Sequence, residues 1–445
     1  MSSEQLLVEA IASTAKNSIV GGPFGSNLVS KDYVPNGVPV IRGQNMGNKW
    51  VGGEFVFVTE EKASSLAPNK ARPGDLIFTQ RGTLGQVAIV PDTPHLEYII
   101  SQSQMKLSVD PQKADVEYLY YLFLGPEQQE YIRNNAIQTG VPHTNLGILK
   151  KTPITLPTLV EQQKIAGLLG SLDDRIALLR ETNATLEAIA QALFKSWFVD
   201  FEPVHARARG EQPAGLAPEV AALFPDSFEE SALGMVPKGW NTGTLGDVAH
   251  FQNGYAFKSK DWCESGHPVV KIGDVKPGII DFSGCSYIAP ETTEGLSRFK
   301  LRRGDLLVGM TGYVGETGLV PHVEPHAYLN QRVGRIATKS GLIDLGFVYC
   351  LVRNSAFKGY AEARSHGSAQ ANVSGAVLLD YPVVTPTQNI LDRFNGSVGV
   401  LLERILSNHE QAQTLATLRD TLLPRLISGQ LRLSDAKQQL KDLAV

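Results

Sequence analysis

The stretch Ala71-Arg72-Pro73-Gly74-Asp75-Leu76-Ile77-Phe78 returns as Leu301-Arg302-Arg303-Gly304-Asp305-Leu306-Leu307-Val308. Outward from it the two copies keep step. Gly82, Gly85, Val90 and Pro91 fall on Gly312, Gly315, Val320 and Pro321, and Pro39-Val40-Ile41 falls on Pro268-Val269-Val270. Gln102 answers to Gln331, while Leu172, Arg175, Ile176, Glu181, Leu186 and Leu193 meet Leu401, Arg404, Ile405, Glu410, Leu415 and Leu422. A register held this far along the chain is not coincidence. Solenoid repeats have periods of about 20 to 50 residues, so a period this much longer means two copies of one unit rather than an array.

Each copy has the same internal order. Short β-branched and aromatic runs punctuated by Gly, Pro and Asn, such as 38–42, 75–80 and 86–90, read as strands and turns. One long helix follows. Thr158-Leu159-Val160-Glu161 has capping-box spacing, and Thr385-Pro386-Thr387-Gln388 has it too, with proline at the first helical position. The first helix is expected to run to about Phe198 and the second to be interrupted near Pro424. The reading is an α+β chain: a mixed α/β domain over 1–157, a central helix over 158–204, a linker over 205–238, a second domain over 239–385, a distal helix over 386–430 and a tail over 431–445.

The helices carry a narrow apolar seam. Ile165, Leu169, Leu172, Ile176, Leu179, Asn183, Leu186, Ala190, Leu193 and Trp197 alternate steps of four and three. Phe394, Val398, Leu401, Ile405, Asn408, Ala412, Leu415, Arg419, Leu422 and Leu426 do the same. Sustained a/d spacing predicts a coiled coil, and a single Asn in each seam predicts a register device. An antiparallel pair sets Asn183 opposite Asn408, Trp197 near Phe394 and Ile165 near Leu426; a parallel pair does not. The competing expectation is that each helix packs on its own domain, which usually needs a wider stripe. From 165 to 197 a helix rises about 48 Å, a fixed ruler between two domains related by an approximate two-fold.

Composition narrows the function. The chain has 445 residues, 42% of them apolar and 19% charged, which is ordinary globular usage and excludes disordered or collagen-like classes. Three cysteines, Cys263, Cys285 and Cys350, cannot all pair, and so few thiols suit a reducing compartment. With no run of 18 apolar residues and no basic-then-apolar leader, the expected location is the cytoplasm. The net charge of −4 means that any nucleic-acid surface must be a local patch.

Motifs of catalysis are missing. There is no Walker loop, no Gly-x-Gly-x-x-Gly after a strand and no Gly-x-Ser-x-Gly turn. Glu60-Glu61-Lys62 is too short a pattern to argue a nuclease. His322 and His326 flank Pro325, which opposes the helix a metal pair needs, and Cys263, His267 and Cys285 lack a fourth ligand at motif spacing. Asp380-Tyr381-Pro382-Val383 is not the Asn/Asp-Pro-Pro-Tyr/Phe tetrapeptide of DNA amino-methylating enzymes. No catalytic residue and no metal site is expected.

Three long segments carry a family resemblance. They are Leu156-Pro157-Thr158-Leu159-Val160-Glu161-Gln162-Gln163-Lys164-Ile165-Ala166, the run from Leu186 to Phe201, and Leu418-Arg419-Asp420-Thr421-Leu422-Leu423-Pro424-Arg425-Leu426-Ile427-Ser428-Gly429. With them the chain resembles, over its whole length, the specificity subunit of type I restriction-modification enzymes. The distal copy departs in having Thr387-Gln388-Asn389 where the first has Glu161-Gln162-Gln163. The resemblance implies a non-catalytic reader of a split, asymmetric double-stranded DNA target. It implies two modification subunits that use S-adenosylmethionine on adenine N6, and two restriction subunits that translocate DNA with ATP and Mg. No cofactor is expected on this chain. The ruler corresponds to roughly 14 base pairs, room for half-sites one turn or so apart.

Candidate DNA contacts are polar residues in glycine-rich loops at equivalent places, since Arg suits guanine, Asn and Gln suit adenine, and Lys suits phosphate. In the first domain they are Arg42, Gln44, Lys49, Arg81, Thr83, Thr139, His143 and Asn145. In the second they are Lys258, Lys271, Tyr313, Arg332, His366, Ser368, Gln370 and Asn372. Gly and Asn in such loops can also merely shape turns. The rival function is a duplicated coiled-coil scaffold that binds protein partners or other ligands without reading DNA. Basic side chains gathered on one concave surface favour DNA; scattered ones favour the scaffold.

Overall fold

The computed structural model describes residues 4–138, 141–338, 341–367 and 371–442. The chain forms two compact units, one from Met1–Ile176 with Thr414–Val445 and the other from Ala177–Gln413. The division cuts each long helix near its middle. The compact units therefore differ from the boundaries expected at 157 and 385, because half of each helix packs with each domain.

The repeated Gly-Asp motif has a physical job in both copies. Gly74 and Gly304 sit at φ +82° and +87°, a left-handed conformation that glycine adopts without a Cβ clash. The turn lets Asp75 accept a hydrogen bond from the Arg72 amide at 2.8 Å, and Asp305 one from the Arg302 amide at 2.9 Å. Each carboxylate then takes a cation from the neighbouring strand, Lys106 at 3.2 Å and Arg335 at 2.8 Å. The apolar residues that follow form the fully buried strands Leu76–Thr79 and Leu306–Gly309.

In the first unit Leu76–Thr79 lies between Gln104–Leu107 and Val87–Ile89, with Ile19–Gly21 at the edge of this antiparallel sheet. A second sheet orders Val56–Val58, Val38–Ile41, Tyr98–Ile100 and Lys70–Ala71, with one parallel pair. The second unit repeats both. Its larger sheet runs His250–Asn253, Val333–Ala337, Leu306–Gly309, Thr317–Leu319, Gly278–Ile280 and Val275–Lys276. Its smaller sheet runs Trp262–Cys263, Ser286–Ile288, His267–Val270 and Tyr328–Leu329. Each domain is closed by a strand pair that leads into a long helix: Glu4–Leu7 with Pro153–Leu156, and Asn241–Thr244 with Pro382–Thr385.

The long helices span Leu159–Phe194 and Gln388–Ile427. The first begins as its cap predicts, with Thr158 Oγ1 accepting from the Glu161 amide at 3.4 Å. The second does not. Thr385 is held in the closing strand opposite Asn241, so the helix starts only at Gln388 and Pro386 precedes it. The first helix passes into a π-helical turn over Lys195–Val199 and ends at Phe201, whose φ of 50° reverses the chain. Pro424 lies inside the second helix and does not break it there. It stands in the last turn, three residues before the helix ends, and its own carbonyl still accepts from the Ser428 amide at 3.0 Å.

In the second unit the seam is antiparallel and in the expected register. Asn408 Nδ2 donates to Asn183 Oδ1 at 2.9 Å, and Asn183 Nδ2 donates to the Ile405 carbonyl at 2.9 Å. Trp197 and Phe394 meet with ring centroids 5.6 Å apart. In the first unit Arg419 Nη1 reaches Asp173 Oδ1 at 2.6 Å, and the Tyr121 hydroxyl donates to the other Asp173 oxygen at 2.5 Å. Burial and the Asp173 charge push that phenol's pKa up, so it remains a donor. Ile165 and Leu426 are both buried in this unit.

The competing expectation also holds in part. Beside the seam, Leu402, Leu406 and Asn395 form a second buried row that faces the domain. Asn395 Oδ1 accepts from the Phe347 amide at 2.8 Å, satisfying a free donor in the first turn of the helix Leu345–Arg353. In the first unit Gln162 Oε1 takes the Asp115 amide at 2.9 Å just ahead of the helix Val116–Leu124.

Two further expectations are corrected. The 205–238 segment is no linker: it holds short helices and the hairpin Phe228–Ser231 with Gly234–Pro237. Ala206 and Phe224 are buried, and Phe224 meets Trp197 edge-on at 5.0 Å. Its Ala, Gly and Pro content reflects tight packing and turns rather than flexibility. The tail includes the helix Leu433–Asp442, with Ala436 fully buried.

Replacing Asn408 by Ala strands Asn183 Oδ1 in an apolar seam and is expected to destabilise the chain by about 1–3 kcal/mol. Adding Asn183→Ala should then cost much less than it does alone. Denaturant unfolding of the two single variants and the double variant measures the coupling, and additive losses would refute the pairing.

Candidate nucleic-acid interface

Glycine-rich loops that are far apart in sequence are brought side by side, in the same way, in both domains. In the first, the Thr144 amide donates to the Gln80 carbonyl at 2.9 Å, His143 exchanges backbone hydrogen bonds with Ile137, and Arg81 bridges to His143. In the second, Gly312 donates to Ala371 and Val373 to Met310, each at 2.9 Å, while His366 and Asn372 exchange backbone bonds. The Met310 amide also takes the Arg332 carbonyl at 3.1 Å, so Arg332 adjoins these loops.

The structure thus gathers Arg81, Thr83, His143 and Asn145 in one domain and Tyr313, Arg332, His366 and Asn372 in the other. Arg81, Thr83, Tyr313, Arg332, His366 and Asn372 are exposed, Tyr313 by 67%. Asn145 caps the short helix Leu146–Lys150 by accepting from the Ile148 amide, and Asn372 Oδ1 accepts from Thr311 Oγ1 at 2.8 Å. His143 Nδ1 lies 3.1 Å from the Val141 carbonyl. Thr139, Ser368 and Gln370 lie outside the described residues.

The expected basic group does not assemble as a whole. Lys49 is 8% exposed, with Nζ 2.8 Å from Glu117 and against the backbone of the first long helix at Gly170. The rings of Tyr121 and Trp50 flank it. Lys271 donates to Ser286 Oγ at 2.6 Å and stands 3.9 Å from the Trp262 ring centre. Both cations satisfy internal partners, which a reading by residue type does not distinguish from a phosphate contact. Arg42 is half-buried, and its Nε has no partner among the described residues. Gln44 donates to the Glu54 carbonyl at 3.0 Å, and Asn45, not singled out from sequence, staples that turn through Gly52 and Glu54. Lys258 is exposed, with its amide bonded to Asp261, and nothing brings it to the paired loops. Among the described residues the side chains of Arg81, Arg332 and Lys258 enter no ion pair.

A cleft of about 590 Å³ opens beside Arg81. The Gly21–Gly25 turn, Asn69, Gln80, Gln102 and the Asn145–Gly147 segment line it. Composition gave no signal for it, because its lining comes from segments far apart in sequence. Elsewhere, burial pushes the Cys285 and Cys350 thiols up, so both stay protonated. His267 Nδ1 lies 2.9 Å from the His326 carbonyl.

A duplicated α+β domain, two long antiparallel helices and the same pair of polar loops in each half define a two-headed recognition protein. The family model for the type I restriction modification DNA specificity domain matches residues 27–188 and 237–418, and the chain belongs to this family of specificity subunits, with two target-recognition domains. The type I restriction enzyme MjaIX specificity subunit of Methanocaldococcus jannaschii is 26% identical over 431 residues, covering 94% of this chain and 92% of that protein. The HindI specificity subunit of Haemophilus influenzae is 25% identical over 441 residues, covering 89% and 95%. The crystal structure of the type I restriction-modification S subunit from M. genitalium shares the fold, with a TM-score of 0.56 at 18% identity over 96% of each chain.

The two kinds of cation should separate on substitution. Lys49→Ala is expected to lower stability by about 1–3 kcal/mol, since it removes a buried partner of Glu117. Arg81→Ala should change stability by no more than about 0.5 kcal/mol. Thermal unfolding of the two variants checks this, and equal losses would contradict the assignment.

Proposed function

We propose that each target-recognition domain reads one half of a bipartite, asymmetric sequence in double-stranded DNA through its paired loops, 80–83 with 141–145 and 310–315 with 366–372. The observation that carries this reading is the exposed arginine beside the paired loops of each domain, Arg81 and Arg332, neither of which enters an ion pair among the described residues. An arginine with no internal partner keeps its fork free for a guanine edge or a phosphate. The loops differ in chemistry: Arg81 and Thr83 occupy the places of Thr311 and Tyr313. Two unlike heads read two unlike half-sites.

The chain acts without catalysis of its own. Two modification subunits supply S-adenosylmethionine chemistry on adenine, and two restriction subunits supply ATP- and Mg-dependent translocation in the full cytoplasmic complex. The long helices leave apolar side chains for partners to cover, Leu178, Ile189 and Val400 being 52%, 44% and 69% exposed on them. No helix among the described residues is long and apolar enough to cross a membrane.

Co-expression with candidate modification subunits, followed by mapping of N6-methyladenine, tests the reading. A split motif is expected, and exchanging residues 1–157 for those of another specificity subunit should change one half-site alone. Arg81→Ala should weaken binding and, if its contact is to phosphate, reduce the salt slope by about 1. A stable complex whose methylation is indifferent to the exchange would leave the scaffold reading.

A further inference from the structure

Phe24 is 88% exposed at the lip of the first domain's cleft, and the loop that holds it is built to keep it there. A Cβ on Gly22 would stand 1.9 Å from the Ser101 carbonyl oxygen, so only glycine allows the backbones to meet at this point. Gln102 Nε2 donates to the Gly25 carbonyl and, at 2.8 Å, to that of Leu28. Asn69 Nδ2 donates to the Gly21 carbonyl at 2.7 Å, and the Gly22 amide donates to Gln104 at 2.8 Å. A pinned backbone thus presents a large apolar ring to water.

The fold does not require that ring. In the second domain Gly254 makes the same close approach, its Cβ position 2.1 Å from the Asn330 oxygen. There the loop between that glycine and the following Ser-Lys-Asp turn is three residues shorter, and its aromatics turn inward: Tyr255 meets Phe257 at 4.9 Å and Phe299 at 5.3 Å. Phe24 stacks on no other ring among the described residues. Arg81, which enters no ion pair among them, lines the same cleft. A free aromatic face beside a free guanidinium matches a nucleotide, whose base offers a π-face and whose phosphate offers the charge.

We propose that Phe24 is a stacking post for one nucleobase unstacked from the half-site read by the first domain, with Arg81 on the adjoining phosphate. The cleft behind the ring gives the displaced base room. The inference rests on the DNA-reading role proposed above. It adds that this domain distorts its half-site at one step and that the second, whose shorter loop keeps its aromatics inward, does not do so by this means. Part of the specificity of the first domain then comes from how easily that step unstacks.

The test uses the full chain assembled with its modification subunits, without S-adenosylmethionine, on duplexes carrying 2-aminopurine in turn at each purine of the half-site other than the methylated adenine. The wild-type complex should raise fluorescence several-fold at one position. Phe24→Ala should abolish that rise and weaken binding roughly 5- to 100-fold, while Phe24→Trp should retain both. A rise that survives in Phe24→Ala, or unchanged binding by it, overturns the stacking post while the DNA-reading role stands. A wild-type complex that does not distinguish the mapped target from a scrambled duplex overturns both.

Discussion

The hydrogen bond between Asn183 and Asn408 constrains the rest of the structure more than its modest strength suggests. A Leu-rich seam binds its partner in any register that buries leucine, and sliding by a heptad costs little. One amide on each helix removes that freedom, because only one antiparallel alignment lets Asn408 donate to Asn183 while Asn183 donates in turn to the Ile405 carbonyl. With that alignment set, Trp197 meets Phe394 at one end of the unit's seam.

The same helices also serve as walls of the domains. Asn395 and Gln162 each satisfy an amide at the start of a domain helix, and Leu402 and Leu406 bury against the second domain. Ion pairs reinforce this attachment: Arg353 reaches Glu187 at 2.7 Å, and Arg303 reaches Glu403 and Glu410 at 2.7 Å. Register and domain position are therefore not independent. A slip in the seam would pull these partners from the groups they satisfy within each unit.

Duplication preserved the scaffold and freed the loops. Asp75 with Lys106 and Asp305 with Arg335 keep one arrangement through a change of cation, because a left-handed glycine turn presents the carboxylate in the same way each time. The loops that meet above these strands keep their backbone bonds but change their side chains. Thr83 gives way to Tyr313, and Arg81 to Thr311. Such a division suits a protein that must hold two heads alike while each recognises something different.

The sequence by itself determined the repeat, the alternation of domain and helix, the antiparallel seam and its paired asparagines, because these depend on spacing, and spacing is visible along the chain. It also marked the loops that meet, since their glycines recur at matching positions. Which cations are free was decided only by the tertiary structure. Lys49 and Lys271 resemble Arg81 and Arg332 as residue types, yet Glu117 and Ser286, remote in sequence, claim the first two. The packing of the 205–238 segment was likewise set by contacts that composition does not encode, among them Phe224 against Trp197. Exposure decided the rest: Phe24 is one aromatic among many until the pinning of its loop shows that nothing within its domain covers it.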